Sequence, residues 1–291
     1  METKKIDNDL HSAAISAAVK ASGTKIIDGA AHAAAIRKQL KAKGFGKKCP
    51  HLAVVLLGSD PASLVYIRNK QKACEEIGIG FTLHKLEEGI EQDALLAFIE
   101  ELNNDTKITG ILVQYPLPAH INKRVVAAAV APQKDVDGLG MGSRFTPCTP
   151  GAVLTLLQRE KIKLVGKHVV IIGRSEVVGK PLALMMLDQN ATVTICHSYT
   201  YNLPEVCRQA DILVCAVGVS NFVTSAFVKP GAVVIDIGIN RLAGGGINGD
   251  VNFINILGLA SYITPVPGGV GPMTVATLMQ NCIKAVEDGN A

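Results

Sequence analysis

The sequence predicts an α/β fold: two α/β domains, the second a Rossmann-type doubly wound parallel sheet. Three observations carry this. Short Val/Ile/Leu runs such as Leu52 to Leu57 and Ile212 to Val219 have strand length and are apolar throughout, as in strands covered on both faces of a parallel sheet. Segments of helical character alternate with them, which implies βαβ units and right-handed crossovers. A glycine-bearing turn at 173–179 follows one apolar run and opens a helix, the context of a nucleotide loop. The 291 residues suit two domains of ordinary size.

Taken in order, residues 1–24 form an N-terminal extension in which 9–22, rich in alanine, suit a peripheral helix. A first domain spans 25–150. Ala30 to Lys43 predicts a helix stopped by Gly44. Strand 52–57 then leads to helix 61–77, with Asp60 as its cap, Pro61 at its first position and Gly78 at its end. Strand 79–86, helix 91–103, strand 108–113 and helix 121–131 follow. Pro147-Cys148-Thr149-Pro150-Gly151 opens a connecting helix, 151–160. The second domain, 151–271, holds strand 168–172, the turn 173–179, helix 180–189, strand 192–196, a short helix near 204–209, and strands 211–217 and 232–237. Arg241 to Phe253, with Gly244-Gly245-Gly246, reads as a loop or hairpin. Strand 261–264 leads into Pro265-Val266-Pro267-Gly268-Gly269-Val270-Gly271-Pro272, and helix 272–287 lies in the C-terminal segment 272–291.

Composition excludes several classes. No apolar run approaches the ~18 residues that span a bilayer, so no membrane partner is expected. The net charge of +4 comes without a dense Lys/Arg block, which argues against nucleic acid and leaves anionic small ligands open. The mixed-sign N-terminus is not a signal peptide. Seven scattered cysteines, none paired as C-x-x-C, predict reduced thiols in a cytoplasmic setting. The seven histidines lack paired ligand spacing, and no metal is expected.

Two segments carry chemistry. Residues 58–70 place a capped helix at the carboxyl end of a strand, where α/β folds bind ligands. Ser63, Tyr66 and Lys70 fall at i, i+3 and i+7 on one helix face. An isolated Y-x-x-x-K reads first as a solvated lysine beside a packed tyrosine; its placement after a strand and a capped turn brings the functional reading level with that one. The second segment is Val169 to Gly179. It departs from G-x-G-x-x-G: Gly173 is the first glycine, Ser175 replaces the second, and Gly179 falls one place late. A Cβ at 175 holds a pyrophosphate further from the backbone, while its hydroxyl can donate. The next strand ends Ile195-Cys196-His197-Ser198-Tyr199-Thr200, with no acid to hold a ribose hydroxyl pair. Arg174 is the candidate guanidinium for a 2′-phosphate. The pattern favours NADP over NAD; a purely structural turn is the alternative.

These pieces together resemble the bifunctional methylenetetrahydrofolate dehydrogenase/methenyltetrahydrofolate cyclohydrolase family. The resemblance rests on Asp60-Pro61-Ala62-Ser63 with Tyr66 and Lys70; Gly110-Ile111-Leu112-Val113-Gln114-Tyr115-Pro116-Leu117-Pro118; Lys134-Asp135-Val136-Asp137-Gly138; Pro147 to Gly151; Gly173-Arg174-Ser175 through Pro181; and Pro265 to Thr274. They run in the family's order over about residues 26–288. The resemblance implies oxidation of 5,10-methylenetetrahydrofolate with NADP to the methenyl cation, then hydrolysis to 10-formyltetrahydrofolate, in one-carbon metabolism that feeds purine biosynthesis. The first domain would be the folate-binding catalytic domain and the second the NADP-binding domain, the two flanking a cleft, with the C-terminal helix of 272–291 returning to pack on the first.

By the same resemblance, Lys70 matches the catalytic lysine and Gln114 the glutamine that orients it. Tyr66 matches the aromatic beside the folate, and Asp137 the pterin carboxylate. Catalysis is assigned to Lys70, Tyr66, Gln114 and Asp137. Ser63, Val113, Tyr115, Pro267, Gly268, Gly269, Val270 and Gly271 join Tyr66, Lys70, Gln114 and Asp137 as substrate-binding residues. Gly173, Arg174, Ser175, Ser198 and Ile239 bind the cofactor. Taken alone, Asp137-Gly138 reads as a turn, Gln114 as a strand-end amide and Pro265 to Pro272 as a rigid connector. A cis peptide before Pro267 is compatible with that loop. The family is dimeric, which implies a homodimer.

The chain departs from the family pattern at Tyr115, where leucine is usual, at Asn252, where aspartate is usual, and in residues 1–24. None of these departures falls at Lys70, Gln114 or Asp137. The alternatives are a monofunctional dehydrogenase of the same family, a shikimate-type NADP dehydrogenase, a short-chain dehydrogenase and a non-catalytic NADP sensor. The Gln114/Asp137 pair with the Pro/Gly loop opposes the shikimate-type reading. Short-chain dehydrogenases place Y-x-x-x-K after the nucleotide loop, whereas here it precedes Gly173. A sensor has no need of an amine facing a glutamine.

Overall fold

The computed structural model describes residues 17–45, 48–243 and 245–287. Its contacts divide the chain into two compact units. One comprises the described part of Met1–Ala30 with Val153–Met273, the other Ala31–Ala152 with 274–287.

The second of these is built on a three-stranded parallel sheet. Helix α2 (Gly29–Lys43) leads into β2 (His51–Leu57), which is flanked by β3 (Gly80–Leu86) and β4 (Gly110–Val113) in the order β3-β2-β4. Successive β2 side chains enter opposite cores, as the two-residue period of a strand demands. Leu52, Val54 and Leu56 pack with Ile67, Cys74 and Ile77 of α3 (Pro61–Ile77) and with Leu278, Met279, Cys282 and Ile283 of α10 (Val270–Glu287). Ala53, Val55 and Leu57 pack with Leu95 and Ile99 of α4 (Gln92–Asn104) and Val126 of α5 (Lys123–Ala129). The C-terminal helix therefore completes the core of this unit.

The other unit is a six-stranded sheet with every pairing parallel. Residues 17–22 are helical (α1); the rest of the helix expected over 9–22 lies outside the described residues. Then come β1 (Lys25–Ile26), β5 (His168–Ile172), α7 (Gly179–Asp188), β6 (Thr192–Cys196), α8 (Leu203–Cys207), β7 (Ile212–Cys215) and β8 (Val233–Asp236). The hairpin β9 (Asn240–Arg241) with β10 (Ile247–Asn248), helix α9 (Phe253–Ile256) and β11 (Tyr262–Ile263) complete it. The strand order is β1-β11-β8-β7-β5-β6. After β5 the chain moves to β6 on one side and returns to β7 on the other. That reversal is the switch point at which doubly wound sheets bind ligands, beyond the carboxyl ends of the strands.

Differences from the sequence reading have local causes. β1 is too short to carry a hydrophobic signal, yet it pairs with β11 and draws residues 25–30 into the six-stranded unit. The connecting helix α6 (Cys148–Arg159) and α10 begin at Cys148 and Val270, earlier than expected. Pro150 and Pro272 fall in their first turns, where a missing N–H costs nothing. The run 211–217 forms strand only from Ile212 to Cys215; the Ala216 amide still donates to Ile172 O, and from Val217 the amides turn to a carboxylate described below. Gly245 and Gly246 take positive φ in the hairpin turn; Gly244 lies outside the described residues.

Candidate active site

In the three-stranded unit, Asp60 fixes the start of α3. Its Oδ2 accepts from the Ser63 amide at 2.8 Å and from the Ser63 hydroxyl at 2.9 Å, while Gly78 ends the helix at φ 91°. Ser63 is buried and its hydroxyl is committed to this cap. Tyr66 and Lys70, further along the same helix, are half-buried.

Lys70 Nζ donates to Gln114 Oε1 at 2.9 Å. Gln114 follows β4 directly; its amide donates to Val55 O and its Nε2 donates to Tyr115 O at 2.7 Å, so both ends of the side chain are used. Burial of the ammonium end pushes Lys70 below the usual lysine range, opposed by the Asp137 carboxylate. Burial also pushes Asp137 up, while Lys70 and a hydrogen bond from the Cys148 thiol pull it down. An amine, an amide and a carboxylate thus share one desolvated site. Val113, Tyr115 and Asp137 line a common recess, and the Tyr115 hydroxyl donates to Lys123 O at 3.3 Å. The peptides Tyr115-Pro116 and Val266-Pro267 are both cis.

Asp137-Gly138 is a turn as well as a functional candidate. Gly138 has φ 74°, and a Cβ there would meet Pro147 N at 2.7 Å. Asp135 accepts from the amides of Gly138 and Gly140. Asn281 Nδ2 donates to Val136 O and Thr146 O, both at 2.8 Å, holding the strands of chain on either side of the turn. Sequence reading missed Cys148 and Asn281 as supports of Asp137. Cys148 lies within Pro147 to Gly151, where sequence marks it only as a thiol, and nothing local marks Asn281.

In the six-stranded unit, the loop after β5 is closely packed. A Cβ on Gly173 would lie 2.2 Å from Ala216 O, and one on Gly179 would lie 2.0 Å from Gly173 O. Ser175 Oγ accepts from the amides of Val178 and Gly179, which leaves its proton to donate elsewhere. Arg174 is exposed and stacks over the Tyr199 ring at 5.7 Å. That brings the guanidinium to the loop of Ser198, at the end of the neighbouring strand, where no carboxylate occurs in sequence.

The Pro/Gly loop belongs to this same unit. Gly268, at φ 106°, accepts from the Ala30 amide, and a Cβ on Gly29 would lie 1.9 Å from Gly269 O. Pro267 is exposed, Gly269 and Val270 are buried, and Gly271 lies against Ile239. The loop residues are therefore joined to the cofactor candidate Ile239, while Tyr66, Lys70, Gln114, Tyr115 and Asp137 sit in the three-stranded unit. Among the described residues, no group of three or more His, Cys, Asp or Glu is arranged to hold a metal, and no helix is long and apolar enough to cross a membrane.

Two family descriptions match the chain: "Tetrahydrofolate dehydrogenase/cyclohydrolase, catalytic domain" over residues 27–137 and "Tetrahydrofolate dehydrogenase/cyclohydrolase, NAD(P)-binding domain" over 147–290. The bifunctional protein FolD of Janthinobacterium sp. (strain Marseille) is 53% identical over 249 residues, 82% of this chain and 88% of that one. The crystal structure of the bifunctional FolD methylenetetrahydrofolate dehydrogenase/cyclohydrolase from Campylobacter jejuni has a TM-score of 0.86 at 45% identity, covering 91% of this chain and 99% of that one. The Trypanosoma brucei enzyme, complexed with NADP cofactor and inhibitor, has a TM-score of 0.86 at 33% identity, covering 92% and 99%.

Proposed function

The chain belongs to the tetrahydrofolate dehydrogenase/cyclohydrolase family, and from that premise we propose that Lys70 carries the proton of its hydrolytic step, oriented by Gln114 and balanced by Asp137. The protein is a bifunctional enzyme of folate one-carbon metabolism. It oxidises 5,10-methylenetetrahydrofolate with NADP and hydrolyses the methenyl product to 10-formyltetrahydrofolate. The monofunctional and shikimate-type alternatives are not favoured.

One observation carries the assignment: an amine depressed by burial donates at 2.9 Å to a buried amide, with a carboxylate in electrostatic reach. The methenyl carbon is electrophilic, so water attacks it. The neutral Lys70 amine takes a proton from that water and returns it to N5 as the carbon–N5 bond breaks, leaving the formyl group on N10. The second water proton leaves to solvent. A depressed pKa keeps more of the lysine neutral near physiological pH, as a base requires. The Asp137 carboxylate accepts the paired N–H donors of the pterin, and the Tyr66 ring packs on the flat part of the folate. Val113, Tyr115 and Ser63 complete the folate contacts proposed for this unit.

The residues after β5 and β6 fit a dinucleotide. Gly173 and Gly179 keep a turn that any Cβ would fill, and Arg174 with Ser198 offers charge and hydroxyl to a 2′-phosphate. NADP, when bound, accepts the hydride from the methylene carbon. Ile239, beside Gly271, supplies an aliphatic surface to the cofactor.

Two further readings rest on the family resemblance: a cytoplasmic homodimer, tested by light scattering and fractionation, and a supply role in purine biosynthesis, tested by purine dependence of a deletion strain. The central test is Lys70→Ala. Cyclohydrolase turnover should fall to background while NADP binding is retained; undiminished turnover refutes the proton-carrier role.

A further inference from the structure

We propose that Asp250 is a positioning residue for the dinucleotide: with Asp236 it clamps the loops that follow β7 and β8 into the shape that receives the cofactor. Both carboxylates are buried, Asp250 completely. Asp250 Oδ2 accepts from the amides of Val217 at 2.6 Å and Gly218 at 3.0 Å, and its Oδ1 from the Val219 amide at 3.0 Å and Asn240 Nδ2 at 2.9 Å. Asp236 Oδ1 accepts from the amides of Gly238 and Asp250, and its Oδ2 from the Val251 amide. The Asp236 amide in turn donates to Thr264 Oγ1 at 2.7 Å, just before the Pro/Gly loop.

The glycines around the pair exist to admit these carboxylates. A Cβ on Gly238 would lie 2.2 Å from Asp250 Cγ, and one on Gly249 would lie 1.8 Å from Asp236 Oδ2. Two buried like charges carry a desolvation cost, and burial pushes Asp236 up to about 6 against the pull of its backbone donors. A scaffold needing only a loop tie has cheaper means. What the clamp holds is the carboxyl edge of the sheet beside its switch point. Val219 and Ile239, which follow β7 and β8, expose 51% and 40% of their surface there. Aliphatic side chains held open on such an edge suit the flat face of a cofactor ring.

The inference rests on the assignment of this edge to NADP. The two activities separate it from a general folding role, because hydrolysis of methenyltetrahydrofolate needs no hydride acceptor. Asp250→Asn keeps the volume but turns an amide N–H₂ toward backbone donors. Its KM for NADP should rise about tenfold, the loss of one charge-assisted bond, with the KM for methylenetetrahydrofolate and the cyclohydrolase rate unchanged. Asn240→Ala, which removes a single donor to Asp250, should shift the NADP KM in the same direction by less. An unchanged NADP KM in Asn240→Ala and in folded Asp250→Asn overturns the proposal, as does a parallel fall of both activities. If Asp250→Asn does not fold, Asn240→Ala decides alone. Wild-type protein lacking NADP-dependent oxidation would instead remove the premise that this is a dehydrogenase.

Discussion

Replacing Gln114 by leucine isolates the contact on which the hydrolytic assignment turns. Gln114 is 9% exposed, and its Oε1 is the acceptor for Lys70 Nζ at 2.9 Å. The backbone bond from Gln114 to Val55 O is untouched by the change, so the end of β4 stays anchored. A charge-assisted bond in a desolvated site contributes about 1.5–3 kcal/mol. At about 1.4 kcal/mol per factor of ten, cyclohydrolase kcat should fall roughly ten- to a hundredfold. The pH profile should move in a defined direction. Activity requires the neutral amine and so rises with pH through the Lys70 pKa, which burial already depresses. Removing the acceptor disfavours the ammonium further, so the acid limb should shift to lower pH. The assay is decay of methenyltetrahydrofolate absorbance across pH, corrected for the enzyme-free rate in each buffer. A kcat equal to wild type, or a limb displaced upward, refutes the reasoning.

Two other outcomes follow from the same geometry. Arg174→Ala should weaken NADP about tenfold, the scale of one charge-assisted bond partly screened by solvent, and leave NAD nearly unaffected; equal losses in a titration of both cofactors reject the 2′-phosphate assignment. Asp137 must be ionised to accept the pterin donors, and burial raises its pKa. The folate KM should therefore climb as pH falls through that raised value, and Asp137→Asn should abolish this dependence while raising KM throughout. Steady-state KM measured against pH in both proteins is the check.

Much of the architecture was legible because its signals are local. The β2 run, the Asp60-Pro61 start and the Gly78 stop of α3 lie where pattern and capping rules put them. Gln114 and Lys70 could be paired through resemblance, although they are 44 residues apart. What escaped depends on partners distant in the chain. Asn281 reaches Val136 across 145 residues, and no rule of spacing announces that contact. The two-residue β1 is a strand only because β11 lies beside it. Ser63 falls on the face of Tyr66 and Lys70, yet its hydroxyl is committed to Asp60. Asp250, a carboxylate between glycine and valine, has the sequence signature of a turn residue; its worth appears only once the amides of 217–219 converge on it. Tyr115 and Asn252, the two departures from pattern, take up local bonds, Tyr115 to Lys123 O and Asn252 to the Asn255 amide.

The order in which the chain leaves the ribosome has a consequence for the lysine-bearing unit. Lys70, Gln114 and Asp137 are all made in its first half, but Leu278, Met279, Cys282, Ile283 and Ala285 belong to the same apolar cluster as Leu52, Leu56 and Ile67. Until those last turns emerge, one face of the small sheet is covered only in part, by α3, and the nascent polypeptide carries its reactive groups on an unfinished support. A stop codon before Thr274 would spare every folate contact proposed for this unit and still leave it without a closed interior.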